Sequence, residues 1–474
     1  MNESEEESGY VAPERQLYIR RKAAVRWFDL RQLLATAAKT IAATIVGPMS
    51  GRRELMAALD PLDGTNKNYV DLSQCGPELW LDYLADTGDG WNATTSVAWL
   101  LGRDALLLDR EGQPTPQAIP PTQAELDLKA SAEQILLPRG EVLIAGGDEV
   151  YPTASAKDYQ RRLIRPFECA RFSQDPPRQI LAIPGNHDWY DGLTAFIRLF
   201  CQKFDARRWI GAWRTRQWRS YFAVKLPHGW WLWGIDVALG DDIDPPQLDY
   251  FRAMSKHLQA DERVILCIPE PHWEMGRDGS ENSEAMIHEM EDKLTIFQRL
   301  ATHNKATGIK LILTGDLHYY AHYRSIARPA SGKVADYNHY LVCGGGGAFG
   351  LGTICAPDGP VNVGADKAEL MRGGLFPSRT DSARIRNGIW RFPLRNPGFT
   401  ALLVAVQLIA LWLVGALRPP EGGEVSWVTY AMSQAAKTQK LSLSNLSDFL
   451  WQVLRVLPYP ALLAGTLAIF AGFI

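Results

Sequence analysis

An amide, an imidazole and a carboxylate stand in a row at Asn186-His187-Asp188, inside the stretch Gly185-Asn186-His187-Asp188-Trp189-Tyr190-Asp191-Gly192. The run before it, 179–183, is apolar and reads as a buried strand. Three polar groups where such a strand stops fill a core badly, but they suit a metal ion and a phosphate. Four other strand-like runs end in groups of the same kind. Residues 79–85 lead into Asp86-Thr87-Gly88-Asp89-Gly90, and 141–146 into Gly147-Asp148-Glu149-Val150-Tyr151. Residues 264–268 reach Glu270-Pro271-His272, and 310–314 reach Gly315-Asp316-Leu317-His318.

In open α/β sheets the ligand site lies beyond the carboxyl ends of the strands, so five such ends are expected to converge on one crevice. Oxygen and imidazole donors in this number, without thiolates, suit manganese, iron or zinc. A carboxylate such as Asp148 can bridge two ions. Paired metals about 3.5–4 Å apart clamp the attacking and leaving oxygens of an in-line displacement.

The elements that would position these groups alternate. Strand patterns fall at 79–85, 141–146, 179–183, 220–226, 230–237, 263–268, 309–314 and 339–343, and helical patterns at 156–172, 192–204, 245–258 and 284–303. That alternation predicts an α/β fold. The helix from 245 has Asp244 as cap, Pro245 in its first position and Gln247 to complete a capping box. Ile287, Met290, Leu294, Phe297 and Leu300 form one apolar stripe in the last helix. Of the 16 Trp, seven gather within 189–233, either as an aromatic-lined region or as core.

At 474 residues the chain can bury one large or two modest cores. Its net charge of −3 provides no basic footprint for nucleic acid. Six scattered cysteines without a C-x-x-C pair read as free thiols of a reducing compartment. The acidic start MNESEEESGY is unlike a secretory signal.

Four regions are expected. Residues 1–75 hold a tail, disordered over 1–16, and a basic amphipathic helix over 19–46. That helix suits either a bilayer surface or the face of a globular domain. Residues 76–355 form the domain that carries the chemistry, and 356–396 an irregular linker. Residues 397–474 hold two uncharged runs, 399–417 and 456–474, each long enough to cross a bilayer. Arg384, Arg386, Arg391 and Arg395 precede the first run, and the positive-inside rule then predicts a cell-membrane protein with its larger domain in the cytoplasm.

The five strand ends together resemble the calcineurin-like metallophosphoesterases, whose pattern is Asp-x-His, Gly-Asp, Gly-Asn-His-Asp/Glu, a lone His, then Gly-His-x-His. Asp86-Thr87-Gly88 and Gly147-Asp148-Glu149-Val150-Tyr151 are similar to the purple acid phosphatase variant, where glycine replaces the first His and a tyrosine is a ligand. The resemblance covers about 79–345. It implies a β-sandwich flanked by helices in four αββα layers, and two divalent or trivalent metal ions. It also implies hydrolysis of a phosphate mono- or diester by direct attack of a metal-bound hydroxide.

Carried over by position, one ion would take Asp86, Asp148, Tyr151 and His318. The other would take Asp148, Asn186, His272 and the residue opening the last motif, which here is Asp316 where the family has His. Glu270 competes with His272 for its place, and Tyr151 either ligates or only hydrogen-bonds. His187 would protonate the leaving group or stabilise phosphoryl charge, with Asp188 fixing its tautomer. His322, Gly345 and Gly346 are candidate substrate contacts. The rival reading is a catalytically inactive scaffold or binding domain that keeps the fold. Sequence leaves the substrate and the oligomeric state open.

Overall fold

The computed structural model describes residues 21–46, 51–59, 68–109, 134–170, 178–202, 208–237, 243–274, 281–327, 337–353, 356, 359–364, 366–416 and 427–438. The expected N-terminal tail, the Pro-rich run 110–121 and the second uncharged run 456–474 lie outside these residues. Contacts divide the chain into two compact units. One holds Ala35–Ser382 with the segment up to Val25; the other holds Arg26–Leu34 with the chain from Ala383 onward.

The larger unit carries all the strands found among the described residues. In chain order they are β1 (Val70–Asp71), β2 (Leu81–Leu84), β3 (Ala105–Asp109), β4 (Gln134–Pro138), β5 (Val142–Ala145), β6 (Arg178–Ala182), β7 (Trp209–Ile210) and β8 (Trp213–Thr215). There follow β9 (Phe222–Leu226), β10 (Trp230–Gly234), β11 (Arg263–Cys267), β12 (Gly308–Thr314), β13 (Tyr320–Ser325), β14 (His339–Cys343), β15 (Val361–Val363) and β16 (Asp366–Phe376). A nine-stranded sheet has the order β1-β9-β10-β11-β12-β14-β13-β16-β15, and a five-stranded sheet the order β2-β5-β6-β8-β7. Strands β10, β11, β12 and β14 are parallel neighbours, as are β2, β5, β6 and β8. β3 and β4 form a separate antiparallel pair.

Period-2 alternation sorts the side chains into three cores. Val142 and Ile144, Leu181 and Ile183, Phe222 and Val224, Leu232, Ile265 and Cys267 meet between the two sheets. The intervening Leu143, Ala145, Ile180 and Ala182 face outward to Tyr159, Leu163, Phe167, Phe196 and Phe200. On the other sheet Trp231, Trp233, Val264 and Leu266 face Phe251 and Met254 of the helix Pro245–Ser255, and Met290, Leu294 and Phe297 of the helix Glu281–Ala301. Each fully buried Leu, Ile or Phe contributes about 1.5–3 kcal/mol relative to exposure. The large unit is therefore layered helix, sheet, sheet, helix.

Several expectations are corrected. The first C-terminal membrane span is not upheld: among the described residues no helix is long and apolar enough to cross a membrane. The first run is the helix Pro397–Ala416, with Gln407 near its middle. At its start Phe399 is buried, with its ring centroid 5.4 Å from Phe28 and 5.9 Å from Phe392. The linker is not irregular, since it contains β15, β16 and the helix Arg379–Asn387. The capping box at 244–247 is half made. The Asp244 carboxylate accepts the Gln247 N–H at 2.8 Å, but the Gln247 amide instead brackets the backbone of Asp236. Of the two readings of the tryptophans in 189–233, the core reading holds for Trp189, Trp213, Trp231 and Trp233, which are buried, while Trp209, Trp218 and Trp230 are half-buried.

Candidate metal centre

Three acids at strand ends hold left-handed backbone, with φ of +60° at Asp86, +55° at Asp148 and +66° at Asp316. Such conformations cost on the order of 1–3 kcal/mol at a non-glycine residue and persist where the surroundings over-determine them. Here the strand ends are sewn together. Asp86 N donates to Gly147 O at 3.0 Å and Thr87 N to Asp148 O at 2.9 Å, joining the loops after β2 and β5. Gly346 N donates to Ala85 O and Ala348 N to Asp86 O, both at 2.9 Å, and these tie the loop after β14 to the opposite sheet.

The loops converge on the Tyr151 hydroxyl. It lies 2.9 Å from Asp86 Oδ1, 3.1 Å from Asp148 Oδ2 and 2.9 Å from His318 Nε2. One phenolic proton cannot serve two carboxylates at once. His318 Nδ1 is 2.7 Å from Phe349 O, which turns Nε2 toward the acids, 3.4 Å from Asp86 Oδ1. A backbone carbonyl behind one ring nitrogen is how a ligating histidine is usually oriented. Among the described residues no group of three or more His, Cys, Asp or Glu stands ready-formed to hold a metal ion. The donors point at the phenol oxygen instead.

The electrostatics are those of crowded anions. Burial pushes Asp148 well above the usual carboxylate range, and Asp86, Asp188 and Asp316 push it further. Burial and then Asp86 raise Asp316 to about 7, with His318 opposing. Burial and then Asp316 raise Glu270 to about 8, with Lys293 opposing. Burial alone lowers His272 to about 4, and both its ring nitrogens are buried without a hydrogen-bond partner. Glu270 thus shares the field of the cluster, whereas no charged group bears on His272.

The loop after β6 fits against this cluster. His187 N donates to Asp148 Oδ1 at 2.9 Å, while Asn186 Oδ1 is buried without a partner. His187 Nδ1 is 2.7 Å from Pro152 O. Its ring packs on Tyr151, tilted at 56° with centroids 4.4 Å apart, and edge-to-face on Tyr190 with centroids 4.9 Å apart. Burial lowers its pKa, against the Pro152 carbonyl and Asp188.

Three assignments change. Asp188 does not set the His187 tautomer, because Pro152 does. Its Oδ2 accepts the N–H groups of Asp148 and Gly185, each at 2.9 Å, and its Oδ1 accepts the Tyr159 hydroxyl, so it clamps two loops. His322 lies along β13, its Nε2 3.0 Å from Nδ1 of His339 at the opposite end of β14 from the site. Gly346 spends its N–H on Ala85 O, whereas the exposed Gly345 keeps its place as a candidate contact. Tyr190 and the Pro152 carbonyl were not foreseen. Tyr190 stood inside the 185–192 stretch, but a backbone carbonyl gives no signal in a sequence.

Two substitutions probe the scaffold. A Cβ on Gly185 would fall 2.1 Å from Asp148 Oδ1. Gly185→Ala is expected to displace that carboxylate and cost about 1–3 kcal/mol, read as a lower urea midpoint. Behind the site Arg53 meets Asp244 Oδ2 at 2.5 Å and Asp236 O at 3.0 Å, and Trp189 Nε1 donates to Asp236 Oδ1 at 2.9 Å. Asp236 is fully buried, and burial raises it to about 6 against the pull of Arg53. Arg53→Met is expected to destabilise by about 3–5 kcal/mol, as when one partner of a buried pair is removed. Thermal denaturation measures it.

Compared with known proteins, the chain matches no family model and no curated protein.

Proposed function

We propose that the chain is a metal-dependent phosphoesterase of the metallophosphoesterase type, hydrolysing a phosphate mono- or diester by direct in-line attack of water at a two-metal site. The observation that carries this reading is the gathering of Asp86, Asp148, Tyr151 and His318 around one point, with Asp316 and Glu270 in the same field. The residues fit cations. Asp86 Oδ2 and Asn186 Oδ1 are buried without partners, a costly state that coordination would relieve.

Asp86, Asp148, Tyr151 and His318 would hold one ion. Asp148, Asn186 and Asp316, with Glu270 or His272, would hold the other. Manganese, iron or zinc bound there would supply Lewis-acid charge and lower the pKa of water toward neutrality. His187, fixed through Nδ1 on Pro152, carries a proton on Nε2 to the leaving oxygen. Asp188 positions the loop that bears it.

A panel of para-nitrophenyl phosphate and its bis-ester, run on manganese-loaded protein with parallel elemental analysis, tests the reading. Two ions per chain and turnover of either ester are expected. At most one ion with no turnover would contradict it and favour the inactive scaffold, a reading that the departure at Asp316 keeps open.

A further inference from the structure

We propose that Lys39 is the substrate-binding cation of this site, taking the anionic phosphoryl oxygens of the ester at the mouth; this rests on the phosphoesterase reading above. The helix Leu30–Val46 places two successive residues on either side of His187. Lys39 Nζ donates to Thr153 Oγ1 at 2.8 Å, and Thr153 follows Pro152, whose carbonyl holds His187 Nδ1. Thr40 hydrogen-bonds the Tyr190 hydroxyl, and the Tyr190 ring packs on the other side of His187. Burial raises the Tyr190 hydroxyl, Thr40 opposes, and Asp148, Asp316 and Glu270 add to the rise, so this hydroxyl lies within the field of the carboxylates.

The helix therefore lies beside the proton donor rather than elsewhere on the domain. Lys39 brings an ammonium beside a cluster of carboxylates, phenols and imidazoles in which Lys293, acting on Glu270, is a second cation. Its partner at 2.8 Å is a neutral hydroxyl. An ammonium has three N–H donors and no acceptor, so donors remain for a phosphate. A cation at the rim also draws anions toward a mouth that buried acids would otherwise repel.

The test uses the full chain loaded with manganese. Inorganic phosphate binding is measured by calorimetry, and steady-state kinetics with para-nitrophenyl phosphate, for wild type, Lys39→Met and Lys39→Arg. Lys39→Met is expected to weaken phosphate binding and raise KM by about tenfold, with kcat changed less than about twofold. Lys39→Arg is expected to restore most of the loss, and a circular-dichroism melt should be the same for all three. Unchanged phosphate affinity and KM in Lys39→Met overturn the proposal while leaving the phosphoesterase reading intact. Phosphate binding that depends on Lys39 in a protein that hydrolyses no ester supports Lys39 as a phosphate-binding cation but overturns its role toward an ester substrate together with the phosphoesterase reading. Wild-type protein that binds no phosphate overturns the proposal.

Discussion

Metal-stripped protein is expected to gain about 5–10 °C in melting temperature on addition of saturating manganese or zinc, and to gain more at pH 8 than at pH 5.5. The reason is the proton balance of the buried acids. Glu270 and Asp316 have folded pKa values raised to about 8 and about 7. Between the ordinary carboxylate range and those values, the folded chain binds protons that the unfolded chain does not. Their stabilising effect is complete below that range and is lost as pH rises through 7 to 8. A shift of about three units corresponds to roughly 4 kcal/mol, and the two groups share one field, so their effects do not add. His272 acts in the opposite sense. Its pKa is lowered to about 4, so stability falls as pH drops from the usual imidazole value toward 4. The stripped protein should therefore be most stable in mild acid, and bound cations should restore what is lost above it. Differential scanning fluorimetry from pH 5 to 8.5, in chelator and in metal, reads the effect. A metal shift that is absent, or larger in acid, would contradict it.

The second large effect concerns turnover. Asp148→Asn removes the anion that both ions would share and is expected to lower kcat by roughly 10³-fold or more, with loss of bound metal. His187→Ala is expected to lower kcat by about 10²–10⁴-fold with metal content unchanged, as for loss of a general acid. Burial lowers the pKa of His187, so its protonated form populates only on the acid side of the usual imidazole value. The wild-type kcat should fall as pH rises through that range, and His187→Ala should lack that limb. A variant that hydrolyses as fast as the parent removes His187 from the mechanism.

The parts of this site that could be read from the sequence follow one physical rule. Asp86, Asp148, Asp316 and His318 each follow an apolar strand within three residues of a glycine, so side-chain type and position are visible together. The structure brings them together through backbone bonds such as Asp86 N to Gly147 O. What escaped depended on packing across long separations. Lys39 lies 114 residues from Thr153 in sequence. The fate of His322 was fixed by the pairing of β13 with β14, which turns its ring to His339 rather than to the site. The β3–β4 pair is split by the long Pro-rich stretch between its strands, which hid it from local pattern. The hydropathy of the apolar run from 399 carries no trace of the packing of Phe28 on Phe399.

The central claim is that one buried pocket accepts a pair of cations bridged by Asp148. Electron paramagnetic resonance of the full chain titrated with manganese(II) tests it most directly. The account predicts binding of two ions per chain and a spin-coupled spectrum that collapses to an isolated-ion signal in Asp148→Asn. An uncoupled signal from a single ion in the wild type, or no bound manganese at all, would contradict it.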